Sequence, residues 1–207
     1  ESHIILGLHL GAIYRMIYRI FDDMSQCSEQ EVARLLPIVS PQRQEQALRY
    51  THLFGQYCCL KSYEILLELL HEWSCDKEIG MPVFLYNEHG APYLEKGPYF
   101  SISHCKQGIA VALSNHPIGI DIEGIRRWDE GLVRKTMNNE EQKLILSQAQ
   151  PEWEFIRLWT HKEAYVKMQG TGIISDMHDI LTNLPPIEKK EIVCPDKKYI
   201  CTIVKKA

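Results

Sequence analysis

The order of extended and helical segments is the feature that most constrains how this 207-residue chain can fold. An apolar run at residues 4–10 has the composition of a buried strand. Ser28 and Glu31 then form a capping-box pattern ahead of a short helix. Ser40 and Pro41 favour the start of a longer helix that runs to about residue 73. The chain therefore begins with a strand that is followed by helices.

The same order returns further along the chain. Short strands separated by turns rich in Gly, Pro and Asn are predicted at 83–86, 99–103, 109–113 and 118–123. Helices are predicted after Asn138 and after Pro151, and the second of them ends at Gly170. Residues 191–204 predict a terminal hairpin.

This repeated order predicts an α+β fold made of two α+β halves. We expect the N-terminal half at residues 1–115 and the C-terminal half at residues 116–207. The two halves show no evident sequence identity, so the predicted repeat concerns only the order of the elements.

Composition narrows the class of protein. Apolar residues make up 45% of the chain and the net charge is −4, so nothing global favours nucleic acid or an anionic membrane as a partner. The seven cysteines form no CxxC pair and are odd in number, which favours reduced thiols over disulfides or a zinc site. His9, Arg15 and Arg19 interrupt the first apolar stretch, which argues against a signal peptide or a membrane span. We expect a cytoplasmic monomer.

A strand predicted at Gly119–Glu123 carries two carboxylates. Alternate residues of a strand share a face, so Asp121 and Glu123 point one way while Ile120 and Ile122 point into the core. A simpler interpretation is the solvated face of an edge strand. The functional one is an oxygen-rich corner for a hard cation.

A helix predicted at Trp159–Lys167 carries a third carboxylate and an ammonium group. Residues four apart stack on one helix face, so Trp159, Glu163 and Lys167 align. Alone, Glu163 and Lys167 would be an exposed ion pair worth about 0.2–0.5 kcal/mol. With Asp121 and Glu123 they predict magnesium-dependent chemistry on a phosphate ester.

The segment Phe100 to His104 completes the pattern. Alternation buries Phe100 and Ile102 and turns Ser101 and Ser103 to the opposite face, with His104 at the strand end. A hydroxyl and an imidazole there can donate hydrogen bonds to a phosphate. In isolation, a Ser-His pair is more often a pair of exposed polar residues with no binding role.

These segments, in this order, resemble the Sfp-type (surfactin-type) 4′-phosphopantetheinyl transferase family. The resemblance lies between residues 90 and 172, and its most specific part is Trp159 through Lys167 with the glycines that follow. The remaining segments that carry it are Gly90-Ala91-Pro92, Phe100 to His104 and Gly119 to Glu123.

The resemblance implies a fold, an activity and a set of ligands. The fold has two similar halves related by a pseudo-twofold axis, with the active site between them. The activity is transfer of the phosphopantetheine arm of coenzyme A to a serine of an apo acyl or peptidyl carrier protein, as in a holo-acyl-carrier-protein synthase. Mg²⁺ is the implied cofactor, coenzyme A the co-substrate and adenosine 3′,5′-bisphosphate the released product.

Site roles follow by position from the resemblance. Asp121, Glu123 and Glu163 resemble the magnesium ligands, Ser103 and His104 resemble coenzyme A contacts, and Lys167 resembles the lysine near the pyrophosphate. The attacking serine must lose a proton, and either Glu163 or a metal-bound water accepts it. Lys167 stabilises or protonates the leaving phosphate.

Further candidates are basic residues outside these motifs. The resemblance places positive charge for the 3′-phosphate of coenzyme A on the first helical region, and here the candidates are Arg43, Arg49 and Lys61. A basic patch after the carboxylate strand suits acidic carrier proteins, and its candidate contacts are Arg126, Arg127 and Trp128. The alternative for each is a solvated charge, or a core position for Trp128.

The chain also departs from the family pattern. Ala91 stands where many relatives carry a basic residue, and Ser101 and Cys105 replace residues that are commonly Asn and Ser. Glu140 or Glu141 falls where the family often has another acidic residue near the metal, although helix N-terminal charge explains both equally well. No proposed metal ligand is changed.

Two rival functions use the same residues. A metal-dependent pyrophosphate hydrolase needs the carboxylates but no surface for a carrier protein. A degenerate relative binds coenzyme A or a carrier protein without turnover, but binding alone would not require all three carboxylates and Lys167.

Overall fold

In the described part of the chain, three antiparallel sheets and six α-helices form a mixed α+β fold, as predicted. The structure, a computed structural model, describes residues 15–74, 80–127, 129–172 and 176–207 and the backbone of 5–9. The strands are β1 (Ile5–His9), β2 (Met16–Phe21), β3 (Phe84–Tyr86), β4 (Pro92–Leu94), β5 (Tyr99–Cys105), β6 (Gly108–Ser114), β7 (Ile118–Gly124), β8 (Ile187–Cys194) and β9 (Tyr199–Lys206). The helices are α1 (Glu29–Leu35), α2 (Pro41–Leu48), α3 (Leu53–Ser74), α4 (Glu130–Thr136), α5 (Asn139–Leu146) and α6 (Pro151–Gln169).

The sheets follow the order of the chain. A four-stranded sheet has the order β1-β2-β6-β5, a three-stranded sheet has the order β7-β9-β8, and β3 pairs with β4. All strands of the first sheet precede residue 115 and all strands of the second follow residue 117. The division of the chain into two halves at residues 115 and 116 stays a prediction.

Two apolar clusters surround β6. On one face, Ile109, Val111 and Leu113 pack with the buried side of α3. On the other face, Ala110 and Ala112 pack with the isoleucines of β7. Because both faces of β6 are covered, its sequence is a continuous apolar run rather than an alternating one. The two larger sheets therefore share one core.

The long helix predicted from residue 40 to 73 is two helices. Ser40 caps α2, and its hydroxyl accepts from the Arg43 amide at 3.3 Å as predicted. The break falls at 49–52, where the His52 Nδ1 accepts from the Gly55 amide at 2.9 Å at the start of α3. Apolar spacing continues through this break, so periodicity alone did not reveal it.

Side chains rather than backbone bonds join β5 to β7. The Ser101 Oγ accepts from the Ile120 amide at 3.0 Å, and the Ser103 Oγ donates to Asp121 Oδ1 at 2.8 Å. Both serines are buried, and Phe100 on the opposite face packs in the α3 cluster. The predicted alternation along β5 is confirmed. We call the two bonds the serine bridge.

Helix α6 packs against β7 at Gly119. A Cβ added to Gly119 would overlap the Ala164 carbonyl oxygen and lie 2.6 Å from the Met168 amide nitrogen. Only glycine permits this approach, because both obstructing groups are backbone. The contact brings one face of α6 onto the carboxylate end of β7.

Replacing Gly119 by alanine should therefore destabilise the protein by about 3 kcal/mol, because the helix must move away from the strand. Urea unfolding measures the effect. Gly124→Ala is the matched control on the same strand, since the three atoms nearest to a Cβ there all belong to the flexible Gln107 side chain. Equal losses in the two variants would contradict the argument.

The remaining predicted ends agree with the structure. Gly170 caps α6 with a left-handed φ of 65°, and β8 and β9 form the terminal hairpin. The first strand is present as β1, although its predicted burial concerns side chains outside the described residues.

The six cysteines in the described part of the chain are all free thiols. In that same part no helix combines the length and apolar character that a membrane crossing needs.

Candidate active site

One cavity of about 370 Å³ collects the residues singled out in the sequence. It lies where β5, β7 and α6 meet, and we call it the carboxylate cavity. Its lining is Ile102, Ser103 and His104 from β5, Asp121 and Glu123 from β7, and Trp159, Glu163 and Lys167 from α6. Segments separated by about forty residues in the chain are therefore neighbours in space.

Asp121 is the most enclosed of the three carboxylates. Its side chain is 6% exposed, and its Oδ1 accepts from Ser103 at 2.8 Å and from Lys167 at 2.6 Å. Its Oδ2 is buried and has no hydrogen-bond partner among the described residues. A buried carboxylate oxygen without a donor is costly, so this atom favours a cationic ligand.

Lys167 of α6 binds the same carboxylate, that of Asp121. Its Nζ donates to Asp121 Oδ1, to the Ser103 Oγ at 3.0 Å and to the Ile120 carbonyl oxygen at 3.2 Å. The ammonium group therefore contacts both the strand backbone and the serine bridge. Ser103, which the resemblance assigned to coenzyme A, has its hydroxyl bonded within this network.

The negative charge of Asp121 acts on both Glu123 and Glu163. Burial raises the pKa of Glu123, and the Asp121 charge raises it further, while Arg126 lowers it. Burial and then Asp121 likewise raise the pKa of Glu163, and Lys167 lowers it. Like charges raise a pKa only at short range, so Asp121 lies close to both glutamates.

The donor set fits a hard divalent cation. Within the described residues, no three His, Cys, Asp or Glu side chains are placed close enough to form a ready metal site. Three carboxylates nevertheless share one cavity, and one oxygen of Asp121 is buried without a donor. Oxygen ligands with excess negative charge are what Mg²⁺ binds, usually together with phosphate and water.

His104 lies at the edge of the carboxylate cavity as a neutral imidazole. Burial lowers its pKa, and the charges of Lys167 and Arg43 lower it further. The Phe54 ring packs edge-on against it, with 6.3 Å between ring centroids. A neutral imidazole can donate one hydrogen bond to a phosphate without a protonation step.

A second cavity of about 310 Å³ adjoins the first, and its walls are mostly apolar. Phe100, Ile102 and Val166 line it, and Glu163 and Lys167 belong to both cavities. The Asn87 Nδ2 donates to the Gly170 carbonyl oxygen at 2.8 Å and so fixes the β3–β4 hairpin beside the end of α6. Ala91 also lines this apolar cavity, at the position where many relatives carry a basic residue.

The three basic candidates of the first helical region bond to neighbouring protein groups. Arg43 donates to the Cys59 carbonyl oxygen at 3.0 Å and to Ser62 at 3.0 Å. Arg49 pairs with Glu45 at 2.7 Å and Lys61 pairs with Glu64 at 2.6 Å. Of the three, Arg43 is the one whose charge reaches His104. Their role in coenzyme A binding stays a prediction.

Of the basic patch after β7, Arg126 lies beside a carboxylate of the carboxylate cavity. Arg126 Nη1 is 3.8 Å from Glu123 Oε2, and the Arg126 side chain is 52% exposed. Arg127 is exposed, and Trp128 lies outside the described residues. The docking role of this patch stays a prediction.

Sequence reasoning missed the role of Lys162. Its side chain is completely buried, and its Nζ lies within hydrogen-bond distance of Glu141 at 2.6 Å and of the carbonyl oxygens of Thr136, Met177 and His178 at 2.7–3.0 Å. Glu141 also closes the α5 capping box with Asn138, whereas Glu140 is an exposed partner of Lys143. The only signal was the position of Lys162 beside Glu163, and nothing in the sequence marked its face of α6 as buried.

Comparison with known proteins relates the C-terminal part of the chain to one superfamily. Residues 117–205, which carry β7, α6 and the terminal hairpin, match the 4′-phosphopantetheinyl transferase superfamily. The C-terminal part of the chain is therefore similar to that superfamily, in agreement with the resemblance of the motifs.

Individual relatives extend the similarity toward the N-terminus. The chain is 26% identical over 192 residues to the 4′-phosphopantetheinyl transferase Sfp of Bacillus subtilis, which covers 90% of this chain and 84% of the relative. It is 25% identical over 180 residues to psf-1 of Bacillus pumilus, covering 85% and 77%. It is 33% identical over 141 residues to gsp of Aneurinibacillus migulanus, covering 65% of this chain but only 57% of the relative's length.

Proposed function

We propose that this protein transfers the 4′-phosphopantetheine group of coenzyme A to a serine hydroxyl of an acyl or peptidyl carrier protein. Adenosine 3′,5′-bisphosphate is the second product. The observation that carries the proposal is the meeting of three carboxylates, Lys167 and His104 in one cavity beside an apolar one. The similarity of residues 117–205 to the 4′-phosphopantetheinyl transferase superfamily supports the same reaction.

In this proposal Asp121, Glu123 and Glu163 hold Mg²⁺. When bound, the ion neutralises negative charge on the pyrophosphate as its bond breaks. The buried Oδ2 of Asp121 and the raised pKa values of both glutamates support this assignment. Burial of the negative charge and repulsion by Asp121 raise these pKa values, and a bound cation would offset both.

The chain's other residues bind phosphate and move a proton. Lys167 and His104 donate hydrogen bonds to phosphate oxygens, and Lys167 supports the leaving bisphosphate. The attacking serine loses its proton as the new phosphorus–oxygen bond forms, and Glu163 is our proposed acceptor. Glu163 lines the carboxylate cavity with Lys167 and His104, so it is close to the phosphate that they would bind.

Coenzyme A enters through the apolar cavity in this proposal. Phe100, Ile102 and Val166 exclude water from one side, while Glu163 and Lys167 connect this cavity to the carboxylates. An acyl or peptidyl carrier then approaches the rim at Arg126 and Arg127. We place the reaction in the cytoplasm and in a monomer, as the sequence predicted.

The test is incubation with Mg²⁺, coenzyme A and an apo carrier protein, followed by mass spectrometry. We expect the carrier to gain about 340 Da, the mass of the transferred arm. A carrier whose target serine is replaced by alanine is the control and should stay unmodified. Release of bisphosphate without a carrier would favour the pyrophosphate hydrolase, and binding of coenzyme A without transfer would favour the degenerate relative.

The rim charges give a separate prediction for the carrier. Arg127→Glu should raise the KM for an acidic carrier about threefold to tenfold and leave the KM for coenzyme A unchanged, because an exposed rim charge acts mainly on encounter. The effect should shrink as salt is added. Lys96→Glu, in an exposed turn of the first half, is the control. An unchanged KM for the carrier would remove Arg127 from the docking surface.

A further inference from the structure

We propose that Lys167 competes with the divalent cation for the Asp121 carboxylate, so that cation binding frees the Lys167 ammonium for a phosphate group. This inference rests on the proposed function, because it takes Asp121, Glu123 and Glu163 as the ligands of the cation. It adds a regulatory role for a residue of the same site: Lys167 is an internal competitor as well as a phosphate contact.

The first observation is that the donors of Lys167 are fully used. An ammonium group has three N–H donors. The Nζ of Lys167 lies within hydrogen-bond distance of three protein acceptors, namely Asp121 Oδ1, the Ser103 Oγ and the Ile120 carbonyl oxygen. A phosphate oxygen can therefore be bound only in exchange for one of these contacts. The side chain is 30% exposed, so it has room to turn toward the cavity opening.

The second observation is that the strongest of the three contacts is the one a cation would weaken. Asp121 is the only charged acceptor among them, and its bond to Lys167 is the shortest at 2.6 Å. A divalent cation on Asp121 would stand a few ångströms from the ammonium group, and like charges repel strongly at that range in a partly buried site. The hydroxyl and the carbonyl oxygen that remain are neutral and hold the ammonium less strongly.

The consequence is coupling between cation and phosphate binding. When a cation binds Asp121 and weakens its contact with Lys167, the Lys167 ammonium becomes available to bind a phosphate oxygen. By linkage, a phosphate that takes Lys167 away must raise the affinity for the cation by the same factor. The cation alone is therefore bound weakly, and removal of the lysine charge should make it bind more tightly.

The test measures Mn²⁺ binding to the full chain by calorimetry at neutral pH, without coenzyme A. Lys167→Met and Lys167→Gln should each bind Mn²⁺ at least about tenfold more tightly than the wild type. Arg126→Met is the matched control, because it removes another positive charge 3.8 Å from a carboxylate of the same cavity. Since Arg126 is half-exposed, its removal should change the affinity by less than about threefold.

Each result decides the proposal. Unchanged or weaker Mn²⁺ binding by the Lys167 variants would overturn it and leave Lys167 as a residue that only orients Asp121. An equal gain in Mn²⁺ affinity for Arg126→Met would also overturn the proposal. Loss of any nearby positive charge would then explain the gain, without competition by Lys167 for Asp121. If the wild type still modifies a carrier in a Mg²⁺-dependent way, either of these two results leaves the proposed function intact. No Mn²⁺ binding by any of these proteins would overturn this inference and the metal assignment together.

A measurement on the wild type needs no variant. In protein labelled with ¹⁵N at lysine, the Lys167 ammonium signal should shift when Mg²⁺ is added, because its contact with Asp121 is lost. An unperturbed signal at saturating Mg²⁺ would contradict the exchange even if a Lys167 variant failed to fold.

Discussion

Asp121→Ala and Glu163→Ala should each lower the rate of carrier modification by about a hundredfold to a thousandfold, the usual effect of removing one preorganised electrostatic contact. Each substitution removes a carboxylate of the carboxylate cavity, and the remaining two balance a divalent cation less well. The rate is measured as mass gained by the carrier at saturating coenzyme A. Near-normal rates in both variants would refute the metal assignment.

The fold should survive both substitutions. Burial and then the charge of Asp121 raise the pKa of Glu163, which means that the ionised side chain is unfavourable in this place, so Glu163→Ala should keep or increase the thermal stability. Glu154→Ala is the matched control on the same helix, since Glu154 pairs with Arg157 at 3.5 Å outside the carboxylate cavity. That variant should keep the wild-type rate.

Lys162→Met should lower the free energy of unfolding by about 3–5 kcal/mol. The substitution leaves Glu141 and three carbonyl oxygens without the ammonium group that they surround, and buried acceptors without a donor are costly. Denaturant unfolding followed by circular dichroism measures the loss. The Lys162→Met variant should also be less active. Lys162 connects α6 to α5 and to the segment at Met177, and α6 carries Glu163 and Lys167.

The control for Lys162 is another lysine that pairs with a glutamate. Lys143 is 73% exposed and its Nζ lies 2.8 Å from Glu140, so the pair has the same chemistry without burial. Lys143→Met should change the free energy of unfolding by no more than about 0.5 kcal/mol. If both variants lost the same stability, burial would not be the cause.

The local rules of the sequence predicted the strand and helix that carry the candidate site. Alternation along β7 put Asp121 and Glu123 on one face, and helical spacing aligned Trp159, Glu163 and Lys167. These predictions depend only on the geometry of one element, which is why sequence was sufficient. The roles of the residues in binding and catalysis stay predictions.

The elements that the sequence did not reveal depend on distant partners. Strand β2 was missed because Arg19 interrupts its apolar run, yet Arg19 is buried and paired with Glu68 and Glu72 of α3. The short elements β4 and α4 were also not predicted, and their apolar patterns are too brief to stand out. The serine bridge required knowledge that β5 lies beside β7, which no local pattern supplies.

The serine bridge makes one backbone amide a reporter of the active site. The Ile120 amide belongs to a strand but is held by the Ser101 hydroxyl, so it can exchange with solvent only when β5 and β7 separate. Asp121 follows it directly in the chain. The rate at which this single amide takes up deuterium would therefore record how often the wall of the carboxylate cavity opens, and whether cations or coenzyme A keep it closed.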